Sequence, residues 1–474
     1  MRQNLLKSGA VYAAGMIIPK FMSILLLPVF TQVLGPEDYG ILAYTNSIIE
    51  FIFVFSVLSL NSYVLRFWLD LDPEDERGRR RLVGAVFTFL CAFNVVLLAG
   101  CFVIGPLAIA GFDVQVPFFP YFALALTANY FNMTAVIPLA AFRLLDRPGA
   151  YVGLTISRSL LQYAVSWVLV VHLGWGLLGM YVAQVGVYAL YSVIFVRVIW
   201  RHGTFVWDLG LVRKGLVFAL PLLPGALAHL VIRVIDRVML EAHVSMNQLG
   251  IYSIGYTLGF FSLMVLVHGG YRAYEPAIFQ SWNQDGFDVF WRKVRGVYLS
   301  LILTMGVGVG LLGQEFLVVL TTPQFHEAGR VVPVVALGAC LQAIGLMFTV
   351  LLVAAKKTGA ATGVVLVAAA VNVAVNLVLI PALGIMGAAW SSVLSFGVMI
   401  PLAYWICERD GLIRARGILA RDLAALATAA VLVGGVVFGI SPALSWSWLG
   451  IKLLLVLAYA ALVAVLYGVV RPRR

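Results

Sequence analysis

Fourteen apolar stretches, each long enough to cross a bilayer, follow one another along the chain with only short polar connections between them. They cover residues 8–34, 39–64, 82–110, 118–141, 149–173, 175–196, 215–235, 249–270, 296–316, 331–353, 360–380, 385–406, 422–440 and 448–470. About 20 apolar residues span the hydrocarbon as a helix. In that medium every backbone N–H and C=O must be satisfied inside the segment or in a closed barrel. The stretches lack the apolar–polar alternation of barrel strands, so the chain reads as an all-α polytopic membrane protein of about 14 transmembrane helices. Composition agrees: 62% of the 474 residues are apolar and 11% charged, against about 25% charged in a soluble domain. Such a chain has no polar coat for a water-facing surface. Its four cysteines, Cys91, Cys101, Cys340 and Cys407, lie within apolar runs and read as small core hydrophobes.

Charge orients the helices. With the amino terminus cytoplasmic, 26 of the 32 Lys and Arg residues fall on the inside and two, Arg237 and Arg330, outside. Lys20, Arg158, Arg233 and Lys452 lie within spans. That asymmetry over short loops is the positive-inside rule, and it places both termini in the cytoplasm. The net charge of +11 is thereby assigned to topology rather than to a nucleic-acid partner. The run Arg77–Arg81 reads the same way, the alternative being a docking patch for anionic lipid or a partner enzyme. The first stretch exceeds the 7–15 residues of a signal-peptide core, so the first helix is expected to be retained.

Outer connections are short, which leaves no room outside for a catalytic domain. The chain has no Gly-x-x-x-x-Gly-Lys-Ser/Thr phosphate loop, metal-ligand spacing among its six histidines, or nucleophile elbow. The expectation is therefore a carrier rather than an enzyme, with no cofactor. Uphill movement would draw on H+ or Na+, the membrane potential, or consumption of product outside.

A shift of 210 residues superposes glycines on glycines: Gly15/Gly225, Gly40/Gly250, Gly100/Gly310, Gly149/Gly359, Gly153/Gly363 and Gly174/Gly384. Six crossings per repeat is an even number, so the two copies enter the membrane in the same sense. Parallel repeats of this kind make two lobes with a cavity between them. The expected organisation is an N-lobe over 1–205, a C-lobe over 206–416, and two further helices over 417–474.

Several stretches carry a resemblance. Leu34-Gly35-Pro36-Glu37-Asp38-Tyr39-Gly40 follows the first span, and Leu220-Pro221-Leu222-Leu223-Pro224 lies in the seventh. Asp236-Arg237 precedes Leu249-Gly250-Ile251-Tyr252-Ser253, and Pro381-Ala382-Leu383-Gly384-Ile385-Met386-Gly387-Ala388-Ala389 joins the eleventh span to the twelfth. In this order and spacing they resemble the polysaccharide (Wzx-type) lipid-linked oligosaccharide flippases of the multidrug/oligosaccharidyl-lipid/polysaccharide exporter superfamily. The resemblance implies a carrier in the bacterial plasma membrane that moves undecaprenyl-pyrophosphate-linked glycan from the inner to the outer leaflet by alternating access. Its partners would be the lipid bilayer, that glycan, and the pathway's polymerase and glycosyltransferases, with the carrier working as a monomer. The alternatives within the superfamily are an organic-cation antiporter and a lipid II-type flippase.

Charges inside spans are the candidate functional groups, because each costs a few kcal/mol to insert. Lys20 and Glu50 lie at similar depth across the first hairpin; they read either as a structural ion pair or as a coupling site in which Glu50 takes a proton or cation and releases Lys20 to bind phosphate. His229, Arg233, Arg237 and Glu241 recur every four residues and share a helix face, with Asp236 placed to neutralise one arginine and, with Glu50, a candidate for ion coupling. Arg233 is assigned to the pyrophosphate, since guanidinium binds oxygens bidentately; Arg237 with Asp236 reads as an interfacial ion pair. Arg158, about 14 Å into its span, is assigned to the cavity as an inner phosphate ligand. Arg272 guards the inner entrance or anchors its helix end. Lys452 is expected to snorkel outward. Pro19 and Pro28 in the first span and Pro221 and Pro224 in the seventh occupy equivalent helices and are expected to kink them as hinges.

Overall fold

A computed structural model describes residues 15, 18–19, 21–72, 74–282, 284–413, 418–439 and 446–468. Thirteen helices among them are long and apolar enough to cross a membrane. We label them α1 Pro36–Val57, α2 Glu76–Gly111, α3 Phe118–Leu144, α4 Pro148–His172, α5 Gly176–Arg201, α6 Leu209–Glu241 and α7 Met246–Ser281. The series continues with α8 Phe287–Leu320, α9 Pro323–Ala354, α10 Thr358–Leu383, α11 Ile385–Arg409, α12 Ile418–Val437 and α13 Trp448–Leu466. Each corresponds to one of the second to fourteenth apolar stretches. The first stretch, 8–34, lies largely outside the described residues; its described part includes one turn, Leu27–Phe30.

Short polar residues start the helices where sequence chemistry places them. Asp38 accepts the N–H of Gly35 at 3.1 Å, with Pro36 in the first turn of α1. Asp75 accepts the N–H of Gly78 at 2.8 Å to open α2, and Asp208 accepts that of Leu211 at 3.1 Å to open α6. Such caps satisfy donors that a helix start otherwise leaves unpaired. At the other end of α1, Leu58 and Ser59 take left-handed φ values of 50° and 54° and break the helix before a short one over Leu60–Phe67. The carbonyl of Ser56 just before this break accepts Asn94 Nδ2 at 2.8 Å, and the Ser56 hydroxyl accepts Asn129 Nδ2 at 3.0 Å. Two buried amides thus tie α2 and α3 to the end of α1.

The chain forms two compact units, Met1–Leu230 and Val231–Arg474. In the first, a core of Leu60, Tyr63, Val64, Leu82, Val83, Val86, Phe87 and Ile137 joins the short helix to α2 and α3, and Ala219 of α6 completes it. In the second, α9 is the most buried span and packs on α7, α8 and α11. There α10 and α11 are also joined by polar groups: Asn372 Nδ2 donates to Ser395 Oγ at 3.0 Å and Asn376 Nδ2 to Asn372 Oδ1 at 3.1 Å.

The helices outrun their apolar stretches. α2 starts six residues before its stretch and α8 nine before, so charged residues at their inner ends are helical rather than looped. Two of these end residues matter below.

Candidate functional site

In the first unit Arg158 stands ten residues into α4, about 15 Å along its axis. It is half-buried. One Nη donates to Asn132 Oδ1 of α3 at 3.1 Å, and the guanidinium lies 4.8 Å above the ring of Tyr188 on α5. Both partners are neutral. Next to it Tyr191 of α5 donates to Ser157 Oγ at 2.7 Å, and one turn further on Tyr163 donates to the carbonyl of Pro19 at 3.3 Å. The result is a polar seam of hydroxyls and amides around a cation held by neutral partners among the described residues, inside otherwise apolar helices. A cation–π contact and an amide hold a guanidinium in place without cancelling its charge.

In the second unit the four-residue stripe on α6 divides. Arg233 is exposed, whereas Asp236, Arg237 and Glu241 are buried. Asp236 Oδ1 accepts from Arg237 Nη1 at 2.9 Å and from the Arg237 backbone N–H at 2.8 Å, while Tyr252 of α7 donates to Asp236 Oδ2. The Arg237 guanidinium also lies 4.2 Å from the Tyr256 ring centroid and donates to the Arg233 carbonyl at 2.9 Å. Arg237 is therefore packed within the helix pair. The expectation that it lies in an outer connection is corrected, because α6 continues to Glu241 and carries it inward. Its ion pair with Asp236 leaves Arg233, one turn earlier, as the exposed arginine of the stripe.

Three of the four prolines stand at or beside helix interruptions. Pro28 sits in the isolated turn Leu27–Phe30 after an interruption at Leu26, and Pro19 is helical. Pro221 occupies a 3-10 turn, Leu220–Leu222, that divides α6, and Pro224 lies in the first turn of the second piece. Glu50 is half-buried on α1. Lys20 lies outside the described residues, as does the side chain of Arg272 on α7.

Two buried ion pairs in the second unit escaped the sequence reading. Lys452 does not snorkel: its ammonium is 4% exposed and lies 2.5 Å from Glu315 Oε1 of α8, itself 15% exposed. At the opposite end of α8, Arg295 pairs with Asp422 of α12, both side chains fully buried. Tyr467 donates to Asp422 Oδ1 at 2.7 Å, and the guanidinium faces the rings of Trp291 and Phe348 at 5.3 and 5.4 Å. The signal was present for the first pair, since Glu315 is a lone carboxylate in an apolar run. Arg295 immediately precedes the apolar stretch 296–316 and so reads as an inner-loop residue.

Residues 5–282 match the model of a family described as polysaccharide biosynthesis protein. The chain belongs to this family. No match was found among curated proteins. Among solved structures, the lipid II flippase MurJ in an inward closed conformation is similar at a TM-score of 0.75 and 11% identity, covering 97% of this chain and 99% of that one. An inward-facing multidrug-resistance MATE-family transporter of the MOP superfamily follows at 0.66 and 10%, with 85% and 100% covered. The Vibrio cholerae MATE transporter VcmN in its bent form is similar at 0.59 and 12%, with 91% and 98% covered. At these identities the likeness establishes the fold alone.

Proposed function

We propose that the protein is a flippase that moves polyprenyl-pyrophosphate-linked oligosaccharide from the inner to the outer leaflet of the bacterial plasma membrane, by alternating access, for cell-surface or exported polysaccharide. Membership of a polysaccharide biosynthesis family supports the glycan pathway. The observation that carries the cargo's charge is Arg158: a guanidinium deep in a span whose partners, Asn132 and Tyr188, are both neutral. A fixed positive charge in low dielectric favours an anionic guest strongly, and a diphosphate matches its planar fork. Arg233 adds a second exposed guanidinium toward the outer half of α6. An organic cation would meet repulsion at both.

In this reading the protein carries its cargo without chemistry on it, as a transporter rather than an enzyme. Glu50 is the proposed ion-coupling group, with H+ or Na+ as the driving ion, and the broken α6 at Pro221 and Pro224 is the proposed hinge. The test is complementation of a strain lacking its own flippase. Arg158→Ala and Arg233→Ala should each abolish surface polysaccharide while the protein still reaches the membrane at wild-type level. Full complementation by both would overturn the assignment, and resistance to cationic drugs without a polysaccharide phenotype would redirect it to the antiporters.

A further inference from the structure

The second unit holds a cavity of about 820 Å³ at the end that the charge bias places outside. Its walls come from α8, from the 3-10 turns Pro323–Arg330 that open α9, and from the outer ends of α11, α12 and α13. Small-molecule sites span about 300–1,000 Å³, so the volume is large enough to take a small molecule.

Its lining is charge-balanced. Lys452 and Arg330 line it as cations and Glu327 as an anion, while Glu315, outside the wall itself, pairs with Lys452 and offsets its charge. Such a wall selects neither anion nor cation. Among its lining residues, His326 holds a buried Nε2 with no partner among the described residues, and behind the wall Glu315 Oε2 is likewise buried and unmatched. Buried polar atoms of this kind are normally satisfied. Gln314 belongs to the same wall, lying so close over the backbone of Gly329 that a Cβ there would fall 1.7 Å from its Oε1. Glycine at 329 is therefore what allows the amide its position. Leu311, Met386 and Val437 add apolar surface to the same lining.

Donors (Lys452, Arg330), an acceptor (Glu327) and groups that do both (Gln314, His326) line one cavity. A guest that satisfies them presents closely spaced groups that each donate and accept, on a ring with apolar C–H faces. We propose that this cavity is a binding site for a neutral, hydroxyl-rich saccharide, which holds sugar units of the glycan on the outer face. The inference rests on the flippase reading for the origin of its ligand, and it places sugar recognition on different residues from the pyrophosphate contacts.

The test uses the full-length protein in lipid nanodiscs. The probe is the oligosaccharide released by mild acid from the host's own lipid-linked pool, and therefore without diphosphate. Calorimetry should find saturable binding, weakened tenfold or more by His326→Ala and by Gln314→Leu and unaffected by excess inorganic phosphate. Glu327 is exposed, so Glu327→Ala tests the site without burdening the fold and should weaken binding several-fold; thermal transitions are recorded for each variant. No binding by a preparation that flips the lipid-linked form would overturn this inference and leave the flippase reading intact. Retention of binding in all three variants, or displacement by phosphate, would also overturn it. Absence of both binding and flipping would remove the flippase reading itself.

Discussion

Arg295 and Asp422 sit in a cage of aromatic rings, and removing either leaves its partner charged and dry. Such removals cost about 3–5 kcal/mol, whereas replacing both by apolar groups of similar volume is often neutral or stabilising. Arg295→Met and Asp422→Leu should therefore each lower the melting temperature of the purified protein sharply, and the double variant should recover most of the loss. A thermal-shift series on the four proteins measures this. Outside the spans, the N–H of Leu211 and then Arg81, 2.7 Å away, hold the Asp208 carboxyl below its ordinary 3.8. Lys357 and Arg409 do the same for Asp410. A carboxyl with a lowered folded value adds stability above its ordinary value and loses it as pH falls through that value toward the folded one. Asp208→Asn should thus lower the melting temperature at neutral pH and flatten its decline as pH falls through and below the ordinary value of 3.8; an unchanged acid limb would remove this pair from the account. Single residues were legible where they stood alone. Arg158 was visible because nothing else in its span is charged, but its partners Asn132 and Tyr188 come from two other helices, and no periodicity predicts them. Lys452 was misread because sequence gives depth but not the facing helix that brings Glu315.

The connection between α5 and α6 is strapped to the inner end of α2. Thr204 donates its N–H to the Arg80 carbonyl at 3.2 Å, Arg81 pairs with Asp208, and Phe205 packs on Phe87. The strap closes only because residue 84 is glycine: a Cβ there would lie 1.8 Å from the Thr204 carbonyl oxygen. Gly84→Ala should cost about 1–3 kcal/mol by overpacking, read as lower melting temperature and a 203–208 connection more readily cut by protease. An equal effect from Gly153→Ala, whose Cβ meets open space, would show that the loss is not specific to the strap. At this scale the sequence was most informative. All thirteen described spans lie where hydropathy placed them, because twenty apolar residues in a row have few other fates. Helix ends were less legible, since Asp75 and Gly286 begin helices well inside charged segments that hydropathy counts as loops.

For the whole molecule the orientation is the testable quantity. In a background lacking Cys91, Cys101, Cys340 and Cys407, a cysteine at exposed Gln324 should react with an impermeant maleimide in intact spheroplasts, and one at exposed Glu74 only in inverted vesicles. The reverse pattern would invert every assignment of inner and outer made above. The likeness to MurJ across 97% of the chain at 11% identity means that this fold tolerates replacement of most of its side chains. The ion pair at the inner end of α8 also has a consequence in time. Ribosomes deliver Arg295 well over a hundred residues before Asp422, so a nascent chain released early would carry a stranded guanidinium, and the final pair of helices completes assembly of the second unit instead of merely extending it.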